Sequence, residues 1–260
     1  MKINIHRGQN QIGGSIIEIN THSTRIFLDV GIELNEDEQI DIPKIEGLFC
    51  GKKDCDAVFI SHYHGDHIGL LEYILPNVPV YMGEAAYKIF SASANYRNIE
   101  IKCSPIFIRH NERITIGNIR LTPYACDHSA YDSYMFLIEA DEKKVLYTGD
   151  FRANGRLDYN ELLEEIPEVD AVIIEGTSLS REETRANIRE EELEDIAVNF
   201  LNNYSGPTFV MMSAMNVDRL ETICNVAKRT GRIMLEDVYT ADIASGSGIK
   251  AIIPDKENGI

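Results

Sequence analysis

Short runs of β-branched and aromatic residues, each closed off by polar or glycine-containing stretches, set the rhythm of this chain from its start to Glu175. KINIHRG reads as a first strand, GQNQIGG as a glycine turn, and SIIEINTHSTRIFLDVG as a hairpin folded about Thr21 to Thr24. DAVFI, from Asp56 to Ile60, carries the signals of a short buried strand. The period then changes: IGLLEYIL puts Leu70 or Leu71, then Ile74 and Leu75, on one side of a helix. VPVYM is again a strand, and GEAAYKIFSASANY a helix whose apolar residues recur at helical spacing. RITIGNIRLTPYAC and SYMFLIEADEKKVLYTGDFR supply three strand-like runs, with turns at Gly117 and at DEKK.

From there strand and helix alternate. VDAVIIEG is a strand ending at Glu175, TSLSREE starts a helix, and an acidic helix continues to about Tyr204. PTFVMMSA and GRIMLED read as strands on either side of the amphipathic NVDRLETICNVAKR, with Gly231 marking the turn. This alternation predicts a parallel sheet of its own. A boundary at YSGP, Tyr204 to Pro207, divides the chain into residues 1–204 and 205–260. The closing GIKAIIPDKENGI forms no recognisable element, and the chain has no internal repeat or low-complexity segment.

The chemistry is concentrated in SHYHGDHIG, Ser61 to Gly69, where His62, His64, Asp66 and His67 fall within six residues of a chain holding seven histidines. The strand DAVFI precedes this stretch and helical spacing follows it, so the polar side chains lie between a strand end and a helix start. There a carboxylate such as Asp66 is favoured by unpaired helix N–H groups. His62 and His64 are two apart, so in extended backbone both imidazoles point the same way and can hold one ion. Asp66 and His67 follow Gly65, whose missing Cβ permits a sharp turn toward a second ion. His6, His22 and His110 have no such neighbours and receive no role.

Charge narrows the field. The net charge is −17, from 42 acidic against 25 basic residues, whereas non-specific nucleic-acid binding draws on Lys and Arg neutralising phosphates. Any nucleic-acid partner therefore needs a local basic groove. REETRANIREEELEDIAVNF holds seven carboxylates against three arginines and reads as a solvated helix face. No apolar run approaches ~18 residues, so no membrane span is expected. The start lacks the apolar core of a secretory signal. Five scattered cysteines suit a reducing, cytoplasmic compartment rather than a disulfide framework.

HYHGDH resembles the HxHxDH signature of the metallo-β-lactamase-fold hydrolases, in the strand–loop–helix context that signature requires. The resemblance implies an α/β fold, an αββα sandwich with the metal site at one edge of its two sheets. It implies that His62, His64 and His128 hold a first ion, Asp66 and His67 a second, and that Asp150 bridges them. Asp29 is similar to the family's buried aspartate behind a histidine ligand, which fixes ring orientation; read alone it is equally a strand-end turn residue before Gly31. IEGTS after TGDFR, then AMNVDRLETICNVAKRTGR, looks like the opening of the cap found in the β-CASP branch (RNase J and relatives), with Glu175 matching that branch's acidic residue. Two departures stand out. The branch carries two further histidines toward its C-terminus, and here none follows His128; the chain also stops where the cap should continue, as a truncated or divergent member would.

The expected chemistry is hydrolysis by a bridging hydroxide between two ions about 3.5–4 Å apart. Asp66 would orient the nucleophile and carry a proton. Zinc suits imidazole-rich ligation, and a mixed N/O set also accepts manganese or iron. The second site, poorer in protein ligands, would bind more weakly. The branch resemblance points to phosphodiesters, RNA foremost. The acidic balance favours a small-molecule substrate instead, a thioester, lactone or cyclic nucleotide, and a non-catalytic member with an incomplete second site is the remaining alternative.

Overall fold

Residue parity along the strands decides the architecture, as the computed structural model describes it for residues 1–34, 40–177 and 187–249. β1 (Lys2–Arg7), β2 (Ile16–Asn20), β3 (Arg25–Leu28), β4 (Ala57–Phe59), β5 (Val80–Gly83) and β6 (Ile106–Ile108) lie side by side in that order. The first three pair antiparallel and the rest parallel. β7 (Ile114–Ile116), β8 (Ile119–Cys126), β9 (Ser133–Ala140) and β10 (Lys143–Tyr147) form an antiparallel meander, to which β11 (Ala171–Ile173) adds in parallel beside β10.

Successive side chains point to opposite faces of a strand, and both faces of the first sheet are apolar. Ile17, Ile19, Ile26, Leu28 and Phe59 meet Leu121, Phe136, Ile138 and Tyr147 between the two sheets. The alternate residues Ile16, Phe27, Val58 and Ile60 pack outward, against Ala86 and Ile89 of α2 (Glu84–Tyr96), with Val217 and Ile243 from the C-terminal helices. On the outer face of the second sheet, Tyr124, Met135, Leu137 and Leu146 bury Leu162 of α3 (Tyr159–Glu165). The layers thus run helix, sheet, sheet, helix, as the resemblance implied. A 3-10 turn at Leu71–Tyr73 and the one-turn α1 (Gly65–Ile68) lie in the loop after β4.

IGLLEYIL does not form the continuous helix its spacing predicted. The carbonyls of Asp66 and His67 accept from Ser15 N–H (3.0 Å) and Val30 N–H (2.7 Å), and Leu70 N–H donates to Val30 (2.8 Å). Backbone groups that would have bonded along a helix are committed to the β2–β3 region, and the helix ends after one turn.

The C-terminal segment departs further from expectation. α4 (Glu190–Asn202), α5 (Val217–Thr230) and α6 (Val238–Ser247) are present, but PTFVMMSA and GRIMLED pair into no sheet among the described residues. Phe209 is 96% exposed and Ile233 74%, so neither run has the buried partner face that makes an apolar run a strand. Local caps define the helices instead: Asn216 accepts from Arg219 N–H, Asp237 from Thr240 N–H, and Gly231 closes α5 at φ 65°. α3 and α6 had no sequence expectation. The helix start assigned to TSLSREE and most of GIKAIIPDKENGI lie outside the described residues.

The acidic stretch is not merely a solvated face. Glu190 is buried and accepts from Arg219 (3.0 Å) and the Thr222 hydroxyl (2.8 Å) of α5, while Glu194 pairs with Arg229 (2.9 Å). Burial alone would raise the Glu190 carboxyl, and the Arg219 and Thr222 bonds outweigh it and lower it. These pairs fasten α4 to α5.

Phe136 sits fully buried between the sheets with its ring edge-on to Phe59 at 5.8 Å. Truncating Phe136→Ala should destabilise the protein by roughly 3–5 kcal/mol. A urea midpoint within error of the parent protein would show that the inter-sheet layer is not the stabilising core.

Candidate metal centre

The centre lies where strand ends from both sheets meet. β3 ends at Asp29, β4 leads into His62 and His64, α1 carries Asp66 and His67, and β8 and β10 run out to His128 and Asp150. The geometry brings five of the predicted side chains into two overlapping groups, His62, His64 and His128 in one and His62, His67 and Asp150 in the other, with ligand atoms within 4.8 Å of one another. His128 Nε2 is 3.2 Å from His64 Nδ1. Asp66 stands at the margin, its Oδ2 3.8 Å from His67 Nε2.

Hydrogen bonds behind the rings fix which nitrogens face inward. Asp29 is fully buried, and its carboxylate accepts from Ser61 N–H (2.7 Å), the Ser61 hydroxyl (2.7 Å), the Tyr147 hydroxyl (2.6 Å) and His67 Nδ1 (2.7 Å). Because the Ser61 hydroxyl donates to Asp29, the His62 Nδ1–H at 3.0 Å donates to Ser61 Oγ. His62 Nε2 is left with a bare lone pair, buried and without a partner among the described residues. An orphaned buried acceptor costs about 1–3 kcal/mol, and a metal ion held jointly with the neighbouring imidazoles and Asp150 would remove that cost. A donor set of imidazoles and carboxylates fits a divalent metal of the zinc, manganese or iron type.

Titration separates the two groups. Burial first, then the neighbouring imidazoles, pushes His62 well below the ordinary histidine range, and burial also lowers His64 and His128. These three rings stay neutral, as ligands must be. His67 goes the other way. Burial would lower it, but the Asp29 and Asp150 carboxylates outweigh burial and raise it to about 10. Asp150 in turn is lowered by its bond to His67 against the opposing effect of burial. The Asp150 oxygens face both groups: Oδ1 is 3.2 Å from His67 Nε2 and Oδ2 is 4.0 Å from His128 Nε2.

Glu175 does not join the cluster; its carboxylate accepts from Phe151 N–H at 3.2 Å and lines the same polar cavity as Asp66, His67 and Asp150. Three supporting residues went unread in the sequence. Ser61 and Tyr147 complete the Asp29 network, and nothing local marks a serine or a strand tyrosine for that role. Tyr63, between His62 and His64, is buried; its hydroxyl accepts from Tyr131 N–H (2.8 Å) and donates to the Met215 carbonyl (2.8 Å). It ties the metal loop to the His128 loop and to the C-terminal segment. Gly31 is also required, since a Cβ there would collide with the Asp66 carbonyl. His6 and His110 pair with Glu18 (2.6 Å) and Glu165 (2.8 Å), away from the centre.

Residues 25–228 match the family model described as the beta-lactamase superfamily domain. Among curated proteins, the chain is 23% identical over 236 residues to Ribonuclease J 2 of Staphylococcus saprophyticus, covering 86% of this chain and 42% of that one. It is 26% identical over 253 residues to an RNase J-like protein of Methanocaldococcus jannaschii, covering 92% and 58% respectively. The chain thus spans about half the length of the curated relatives it matches. Among solved structures, a protein of unknown function from Enterococcus faecalis V583 superposes with a TM-score of 0.82 at 23% identity, over 95% of this chain and 68% of that one. That likeness establishes the fold.

Two outcomes follow from this geometry. Asp29→Ala should leave zinc stoichiometry intact in excess metal but weaken affinity roughly 10–100-fold; an Asp29 variant titrating zinc like the parent would reduce Asp29 to a turn residue. At pH 8, His67 still holds the proton that it keeps up to about 10, whereas the other three imidazoles are already neutral. Zinc uptake in a weakly buffered indicator solution should therefore release about one proton more from the parent protein than from His67→Ala. Equal release from both would contradict the protonated His67.

Proposed function

The chain belongs to the beta-lactamase superfamily, whose domain model spans residues 25–228, and we propose on that footing that it is a metal-dependent hydrolase of phosphodiesters, with RNA as the substrate class. The observation that carries the hydrolase reading is the convergence of His62, His64, His67, His128 and Asp150 around a buried, unpartnered His62 Nε2. The likeness to ribonuclease J proteins, at 23–26% identity, supports the choice of RNA.

In this reading His62, His64 and His128 would hold a first ion, Asp66 and His67 a second, and Asp150, which faces both groups, would contribute to each. When bound, such ions supply Lewis acidity to the phosphoryl oxygen and acidify the attacking water. The chain's own residues do the rest. The Asp29 network locks the His62 and His67 rings with Nε2 inward. Asp66, whose carboxylate takes no hydrogen bond among the described residues, would orient the water and move its proton toward the leaving oxygen. Five unpaired cysteines support a reducing, cytoplasmic setting. No helix among the described residues is long and apolar enough to cross a membrane. The division into residues 1–204 and 205–260 belongs to the same reading, supported by the break in helix between Asn202 and Val217.

One observation favours a second reading, a small-molecule hydrolase: a net charge of −17 opposes a polyanionic substrate. A panel of RNA, a generic phosphodiester and a thioester, each with and without chelator, separates the two. Chelator-sensitive RNA cleavage that is abolished by His64→Ala is the expected result; turnover of the thioester alone would move the assignment to the small-molecule class.

Ion occupancy should be stepwise. One group holds three imidazoles; the single inward Nε2 of His62 serves one ion and is committed there, so the other group keeps only His67, the shared Asp150 and the more distant Asp66. Fewer protein ligands bind more weakly, and two cations in one cleft repel. Elemental analysis after exhaustive dialysis should find one zinc per chain, with a second appearing only in excess metal. Two retained equivalents would show that a further residue completes the second site.

A further inference from the structure

Residues 232–236 connect α5 to α6 and pair into no sheet among the described residues, and their polarity is inverted. Side chains of an extended run point alternately to opposite sides. Here Ile233 and Leu235 face solvent, 74% and 50% exposed, while Glu236 is 8% exposed and Met234 is half-buried. Apolar side chains outside and an acid inside is the reverse of what burial favours.

Met234 and Glu236 both meet Cys224 of α5. Cys224 is buried, and its Sγ lies 3.5 Å from Met234 Sδ and 3.9 Å from Glu236 Oε1. A thiol carries one proton and can donate to only one of the two. The other Glu236 oxygen, Oε2, is buried with no hydrogen-bond partner among the described residues. Burial, then the Asp237 charge, raises the Glu236 carboxyl; burial, then Glu236, raises the Cys224 thiol. Protonation does not satisfy the acid, because a buried O–H at Oε2 is as unpartnered as the bare oxygen.

We propose that Cys224, Met234 and Glu236 form a site for a soft divalent cation, sharing no residue with the imidazole centre and independent of the phosphodiester reading. A thiolate and a carboxylate together cancel the charge of a divalent ion, as burial requires. Metal–thiolate bonds of ~2.3 Å let one ion touch two sulfurs 3.5 Å apart. Thiolate and thioether donors select soft metals, whereas the usual ligands of zinc include no thioether. The imidazole centre offers only nitrogen and oxygen donors, so the two sites sort different ions. Binding breaks the Cys224 S–H bond, forms a sulfur–metal bond and releases the proton to solvent, with no change of oxidation state. Half-buried Met234 leaves a way in from solvent. The ion then pins residues 232–236 onto α5, where no strand pairing does.

Cadmium is the probe. Added anaerobically to protein first loaded with zinc and dialysed, it should produce the ultraviolet thiolate-to-cadmium charge-transfer band, saturating at one equivalent per chain. That band is blind to ions held by imidazole and carboxylate alone. Cys224→Ser should abolish it. Glu236→Gln and Met234→Leu, both close in shape to the parent residues, should weaken cadmium binding by roughly tenfold or more, at least what loss of a group supporting a ligand costs. Cys50→Ser, which removes a thiol 3.5 Å from Glu46, should change nothing. Cadmium NMR of the parent protein needs no variant: a sulfur-bound resonance lies far downfield of one with only nitrogen and oxygen ligands. The site is overturned by the absence of both band and downfield resonance, or by a band that survives Cys224→Ser or vanishes in Cys50→Ser. Cadmium affinity indifferent to Glu236→Gln or to Met234→Leu overturns it equally.

Discussion

The structure turns on one buried carboxylate. Asp29 takes hydrogen bonds from Ser61 twice, from Tyr147 and from His67, and those donors come from the end of β4, from β10 and from α1. Taking a carboxylate out of water costs several kcal/mol unless its lone pairs are filled, so the four bonds are obligatory together. They draw the first sheet, the second sheet and the metal loop to one point. Asp29 reaches that point only by adopting φ 58°, a left-handed conformation that Asp accepts more readily than β-branched residues. Burial, followed by the Asp29 charge, raises Tyr147 well above its ordinary range and keeps it a donor.

The same carboxylate divides the site electrostatically. His67, between Asp29 and Asp150, is held cationic by the two carboxylates, while burial and neighbouring imidazoles lower His62, His64 and His128. One half of the centre carries a positive charge on His67, and the other presents the bare lone pair of His62 Nε2. The two halves are therefore unequal before any ion arrives, and the inequality has its origin in where Asp29 points.

A second set of polar contacts joins the C-terminal helices to this centre. Tyr63 reaches the Met215 carbonyl, Arg152 pairs with both Asp127 (2.9 Å) and Asp218, and Glu190 clamps Arg219. Arg152 is two residues from Asp150, and Asp127 is adjacent to His128, so α5 is fastened to the very loops that carry those side chains. The apolar runs around Phe209 and Ile233 remain exposed beside these ordered contacts.

Period-two and helical patterns alone placed most strands of both sheets, because each strand has a face that must be buried, and side-chain alternation records it. The closeness of His62, His64 and His67 was legible for a similar reason: candidate ligands on one turn are close in sequence. His128 and Asp150 could be placed only at strand ends, and their arrival at His64 and His67 is a matter of sheet stacking that no local pattern encodes. Tertiary contacts also overrode local signals. Backbone bonds to Ser15 and Val30 stopped the helix after Ile68, arginines of α5 turned an acidic face into an interface, and PTFVMMSA and GRIMLED, apolar enough for strands, found no sheet to join. Sequence determined which faces must be buried and which side chains could bind an ion. Only the folded chain decided which of them meet, because a hydrogen bond or a shared ion depends on distances between segments that are far apart along the backbone.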